Sequence, residues 1–192
     1  MKENAGDKRS AIVQTAIRLF TERGFYGTPT AMIAKESGVG NGTLFNYFTT
    51  KEILINSVYH EIKGRMGTNL STGVSDEKTI EDKARRIWGN MIRWGVDNPN
   101  EFLFIEQFSA SPFITKIPAE EVVKDYSMMV EVFNEVIKKG PLKDTDASVA
   151  FVVVFSAAKG ITKSIIDAKG KIDADQSIDR SFRLICKGIQ SE

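Results

Sequence analysis

Asn41, Thr43, Asn46, Tyr47 and Lys51 place five polar side chains within eleven residues. Side-chain amides and hydroxyls suit base edges and phosphate oxygens, and an ammonium pairs with phosphate. Gly42, among them, lets a helix backbone approach a neighbour closely. A lysine in the first turn of a helix opposes the macrodipole by a few tenths of a kcal/mol. The choice makes sense where lysine and helix N-terminus face one phosphate together.

Such groups need short helices to hold them. Residues 28–51 read TPTAMIAKESGVGNGTLFNYFTTK. Thr28 is expected as an N-cap with Pro29 at the first helical position, where a missing N–H costs nothing. Met32, Ile33 and Ala34 supply the apolar positions of a helix ending at Gly38. A brief helix follows, with Leu44 and Phe48 one turn apart and facing inward. Asn41, Thr43, Phe45, Asn46 and Tyr47 take the rest of its circumference. Upstream, Ile12, Val13, Ala16, Ile17, Leu19 and Phe20 share one face of a helix stopped by Gly24. Downstream, Thr49 to Glu52 has capping-box spacing and opens a longer helix through Ile53, Leu54, Val58 and Ile62. The arrangement predicts a helix-turn-helix, which braces one helix and offers the next to the major groove of DNA.

This stretch resembles the DNA-binding head of the tetracycline-repressor (TetR) family. The resemblance rests on Ala16, Leu19-Phe20, Gly24-Phe25, Thr28, Ile33-Ala34, Gly38-Val39, Gly42-Thr43-Leu44, Tyr47-Phe48 and Lys51. It covers about a quarter of the chain. It implies a recognition helix from about Gly40 to Phe48, with Asn41 near bases. Thr43, Tyr47 and Lys51 would be phosphate clamps, and Thr28 would anchor the second helix. With Gly40, Gly42, Phe45 and Asn46 these make the expected DNA-binding set. Three positions depart from the family pattern. Gly40 stands where a capping side chain is usual, Asn41 where a basic residue is common, and Phe45 where tyrosine is frequent. Fewer phosphate contacts predict a shallower salt dependence of binding.

Beyond residue 52 the pattern stays helical. Ile80, Ala84, Ile87, Trp88, Met91, Ile92 and Gly95 share a face until Asn98-Pro99. Phe102 to Phe108 form an apolar-aromatic segment. Val122, Tyr126, Met129, Val130, Phe133 and Ile137 mark another helix, ended by Gly140-Pro141. Residues 144–168 and 174–190 make the last two, and no alternating strand pattern is present. The reading is an all-α chain: a three-helix head over 1–52, then a linking helix into a helical ligand-binding and dimerisation body over 53–192.

The body is rich in aromatics with scattered polar groups such as Asn90, Gln107, Ser127 and Asn134. Each aromatic taken singly is best read as core. As a set they suit an apolar cavity for a small hydrophobic effector, acyl or aromatic. Trp88, Met91, Phe104, Gln107, Phe108, Tyr126, Met129, Phe133 and Phe155 are the candidate lining, and the run from Asn98 to Ile114 is its expected centre. Phe151 to Phe155 is apolar all round, which predicts burial on both sides. The last helix repeats apolar positions at Ile178, Phe182, Ile185, Cys186 and Ile189. The resemblance implies that the last two helices form a four-helix homodimer interface. Two recognition helices would then lie about 34–36 Å apart on a palindromic double-stranded operator.

Composition fits these expectations. Residues 1–51 hold seven Lys/Arg against four acids, while the rest hold 19 against 21. A mildly basic head on a slightly acidic body is the result. No run of 18 uninterrupted apolar residues suggests a membrane span. Cys186 is the single cysteine, so no internal disulfide forms and a reducing cytoplasm is the expected setting. His60 is the single histidine; His60-Glu61 lacks the second histidine of a zinc-protease helix. It is expected to hydrogen-bond at the surface or between helices, and Cys186 to pack as a small hydrophobe. No catalytic constellation assembles and no cofactor is called for. The expected function is a ligand-responsive regulator, most simply a repressor. An activator, or a constitutive DNA-binding or partner-binding module without ligand, is the alternative.

Overall fold

The computed structural model describes residues 5–109, 111, 126–140, 142 and 145–189. Among them are nine helices and no strand. They are α1 Ala5–Arg23, α2 Thr30–Glu36, α3 Asn41–Tyr47, α4 Lys51–Ser71 and α5 Ile80–Asp97. There follow α6 Pro99–Ser109, α7 Ser127–Lys139, α8 Ala147–Asp167 and α9 Ala174–Ile189. Phe113 and Val122, and the side chain of Ile189, lie outside the described residues, as does most of the run from Ala110 to Ile114.

The chain forms two compact units, Met1–Lys63 with Asn100–Ala119, and Gly64–Pro99 with Glu120–Glu192. In the first, α1 buries Ile12, Val13, Ala16, Ile17, Leu19 and Phe20 to 2% exposure or less. Ile33 and Ala34 of α2, Leu44 of α3 and Phe48 close this core, with Leu54, Ile55, Val58 and Ile62 of α4. Ile53, expected on the same face, is instead 44% exposed. The periodicity of α4 is carried by the residues after it.

Sequence expectation and structure differ by one residue at two caps. Pro29 occupies the N-cap position of α2 and makes no side-chain cap. Thr28 precedes it, fully buried. For α4, Thr50 is the capping side chain, its Oγ1 accepting from the Ile53 N–H at 3.1 Å. The helix therefore opens one residue later than a Thr49–Glu52 box would place it. α4 also continues through Gly64 and Gly67 to Ser71. Tertiary packing outweighs the low helix propensity of these two glycines.

In the second unit α5, α7, α8 and α9 enclose the core. Thr79 Oγ1 caps α5 by accepting from Asp82 N–H. Asp146 caps α8 by accepting from the Ser148 and Val149 N–H groups, and the Ser148 hydroxyl, together with these bonds, holds its carboxyl below the usual carboxylate range. By length and composition α8 could cross a membrane. Within this chain it buries Ala150, Ala158, Thr162 and Ile165. Val149, Phe151, Val152 and Val153 remain 46–62% exposed, so burial on both sides of that run is not reached within one chain.

Candidate nucleic-acid interface and apolar cavity

The turn between α2 and α3 is fixed by backbone chemistry. Gly38 has φ of 74°, where a Cβ would be strained. Val39 N–H donates to Ala34 O at 3.0 Å and Gly38 N–H to Lys35 O at 3.2 Å, the paired bonds of a Schellman ending. α3 begins after Gly40, which offers no side-chain cap. Leu44 and Phe48 pin its inner side at 1% and 2% exposure. Asn41, Gly42, Phe45 and Asn46 are exposed, while Thr43 and Tyr47 are half-buried. One surface thus carries two amides, a hydroxyl pair and an aromatic ring, with no charged side chain on α3.

Two residues of the expected set face inward. Thr28 is 0% exposed, and its hydroxyl is placed to donate to Gly24 O at 2.8 Å and Leu19 O at 3.1 Å. The side chain ties the end of α1 to the start of α2 and does not reach the surface. Lys51 donates its ammonium to Phe25 O and stands over the Phe20 ring, 5.9 Å from its centroid. Burial lowers its pKa from the ordinary lysine value. Arg18 pairs with Glu36 at 2.6 Å and links α1 to α2.

Three residues grouped by sequence with the ligand cavity belong to the first unit. Phe104 and Phe108 of α6 are fully buried. Phe25 meets Phe20 and Phe104 edge-on at 5.1 and 5.5 Å, and Tyr59 stacks on Phe108 at 4.3 Å. Gln107 Nε2 donates to Thr21 O at 3.2 Å. The face of α6 thus completes the head's aromatic core, and none of the three is in the wall of the cavity of the second unit. Nothing local in the sequence reveals this, because the partners lie far off in the chain, Gln107 and Thr21 being 86 residues apart.

The cavity itself lies in the second unit. It has a volume of about 670 Å³ counting space open to solvent. Trp88, Met91, Met129, Phe133 and Phe155, all expected, come together in its wall. Tyr126 does not line it but is buried in the adjoining core with Leu70 and Trp88. Ala84, Ile87, Val132, Val136, Leu142, Val154, Phe182, Ile185 and Cys186 complete the lining. Sequence reasoning passed over the aliphatic members because they look like any core. The Trp88 indole N–H is already used, donating to Ile178 O at 3.2 Å and Ser181 Oγ at 3.1 Å. Burial pushes the Cys186 thiol pKa up. No charged side chain lines this wall, so it is suited to hydrocarbon.

Comparison with known proteins adds an independent view. Residues 12–58 match the family model described as bacterial regulatory proteins, tetR family. Residues 59–183 match the model of a tetracyclin repressor-like C-terminal domain. The fatty acid metabolism regulator protein of Bacillus subtilis is 20% identical over 188 residues, 96% of this chain and 97% of its own length. A TetR family transcription regulator from Marinobacter aquaeolei has a TM-score of 0.84 at 19% identity, covering 97% of each chain. FadR from Bacillus subtilis in complex with stearoyl-CoA has a TM-score of 0.74 at 19% identity, covering 94% of this chain and 99% of that one.

Proposed function

The chain belongs to the tetracycline-repressor family and is a DNA-binding transcriptional regulator, and from that premise we propose that it acts as a homodimeric repressor released from a palindromic operator by a small hydrophobic ligand. The observation that carries the ligand reading is the hydrocarbon-walled cavity of the second unit. An acyl chain is the ligand class best matched to it. The wall supplies no partner for a buried charge, so a polar head group would stay outside. The FadR relative, found with stearoyl-CoA, supports the same class.

In this reading residues 1–52 contact DNA and 53–192 hold ligand and partner. Asn41 and Asn46 face bases, Phe45 offers an apolar contact, and Thr43, Tyr47 and Lys51 hold phosphates. Gly40 and Gly42 allow close approach, and Thr28 positions these groups from within. Such a regulator works in the cytoplasm, where its operator is. The exposed Val149, Phe151, Val152 and Val153 of α8, with Leu184 of α9 at 71% exposure, meet a second copy. This accounts for an apolar helix face on a chain with a charged fraction of 27%.

Ligand releases DNA only if it prefers the non-binding state, since equal affinity for both states shifts nothing. The test starts from an operator selected out of random duplex DNA by the purified chain. Stearoyl-CoA is then titrated into the complex. DNA affinity should fall by roughly 5- to 150-fold, the usual span of such couplings. Unchanged affinity with stearoyl-CoA bound would defeat the ligand-responsive reading and leave a constitutive regulator.

A further inference from the structure

Asn90 was grouped by sequence with the polar groups of the cavity, and the structure gives it a different task. It lies on α5, the helix whose Ala84, Ile87, Trp88 and Met91 line the cavity. Its side-chain amide does not join them. Nδ2 donates to Leu70 O at 3.1 Å and to Thr72 O at 2.8 Å. Leu70 is in the last turn of α4, and Thr72 follows just beyond that helix.

The last carbonyls of a helix have no partner within the helix. Here the α4 ending turns sharply, with Thr72 N–H donating to Asn69 O, Val74 N–H to Ser71 O, and Gly73 at φ 71°. The two donors of one primary amide bind acceptors on either side of the end of α4. The Leu70 side chain, 1% exposed, is buried in the same core cluster as Trp88 and Met91. The end of α4 is therefore bound to α5 twice, by apolar packing and by a directional clasp. α4 is one continuous helix whose first residue is Lys51.

We propose that Asn90 is the positioning residue through which occupancy of the cavity reaches α4, its amide making the end of α4 follow any displacement of α5. The inference rests on the ligand-responsive reading above. Packing alone lets helices slide, whereas a two-pronged hydrogen bond holds their register. Without the clasp the cavity still binds its ligand and the head still binds DNA, but each ceases to sense the other. Linkage makes the loss reciprocal, so DNA also stops altering ligand affinity.

The test uses the full chain, its selected operator and stearoyl-CoA, with Asn90→Ala and Asn90→Asp. Aspartate keeps the shape of asparagine but presents only acceptors to two carbonyl oxygens. Thermal melts establish which variants are folded. Wild type should lose roughly 5- to 150-fold in operator affinity on saturation with stearoyl-CoA. Each folded variant should bind both partners separately as wild type does and change less than about twofold, a ratio that loss of stability alone does not move. A variant with the wild-type ratio overturns the role of Asn90 and leaves the ligand-responsive reading standing. A wild type that binds stearoyl-CoA without any change in operator affinity overturns that reading, and this one with it.

Discussion

The ammonium of Lys51 donates to the carbonyl oxygen of Phe25 and lies beside the Phe20 ring. A cation in the first turn of α4 opposes the helix dipole, and the carbonyl offsets part of that cost. An ammonium has three donors, so one on Phe25 leaves others for a phosphate.

Lys51→Met separates the two roles of this side chain. The slope of log affinity against log salt should become shallower by about 1 for each head, so by about 2 for a dimer. Stability tests the burial. Because the folded pKa of Lys51 is depressed, the unfolded chain holds that proton more tightly. Wild-type stability relative to Lys51→Met should then rise as pH climbs toward 10.5. Urea melts of both proteins across that range give the difference. A difference independent of pH would show that the ammonium is not desolvated by folding.

Thr28→Val should weaken the fold and spare recognition. The hydroxyl is buried between Gly24 O and Leu19 O, and valine fills the same space with no donor. Unfolding free energy should drop by about 1–3 kcal/mol. Operator affinity, measured where both proteins are folded, should match wild type. A large affinity loss in fully folded Thr28→Val would place this residue at the DNA after all.

These two residues show what the sequence could and could not reveal. Leu44 and Phe48 were readable as the inner side of α3 because they are one helical turn apart. The exposed set of Asn41, Phe45 and Asn46 follows from that single assignment. Thr28 and Lys51 were readable as members of a motif, but not as side chains turned inward. Their acceptors are backbone carbonyls that no side-chain pattern marks. The cavity divides in the same way. Trp88, Met91, Met129, Phe133 and Phe155 stood out by size, whereas Val132 and Leu142 did not. Phe104, Gln107 and Phe108 carry the composition of a cavity wall, and only the fold assigns them to the head.

Val152→Glu probes the proposed pairing of two copies. Val152 is 62% exposed in the single chain, so glutamate there disturbs no intrachain packing. Facing a second copy it would bring a charge into an apolar surface. Sedimentation equilibrium should show monomer where wild type shows dimer. Operator affinity should fall by an order of magnitude or more, since each half-site is then bound alone. A Val152→Glu protein that remains dimeric would move the interface off this face of α8.

Asn41→Arg and Phe45→Tyr restore, one at a time, what this recognition helix lacks, and they should do so by different physics. Both positions are exposed on α3, with Phe45 at 43%, so neither change needs repacking. An arginine at 41 adds one cation per head. If it reaches phosphate, each head should steepen the salt slope by about 0.9, or about 1.8 for a dimer. A tyrosine at 45 adds a neutral donor. Its hydrogen bond to phosphate is worth about 1 kcal/mol net, roughly fivefold in affinity per head. No further counterion is released, so the slope should not change. Titrations of both variants at several salt concentrations separate the two effects. Tighter binding by Phe45→Tyr with a steeper slope would mean that the head had shifted on DNA and recruited cations elsewhere. No gain from either would place α3 farther from the phosphates than the helix-turn-helix reading requires.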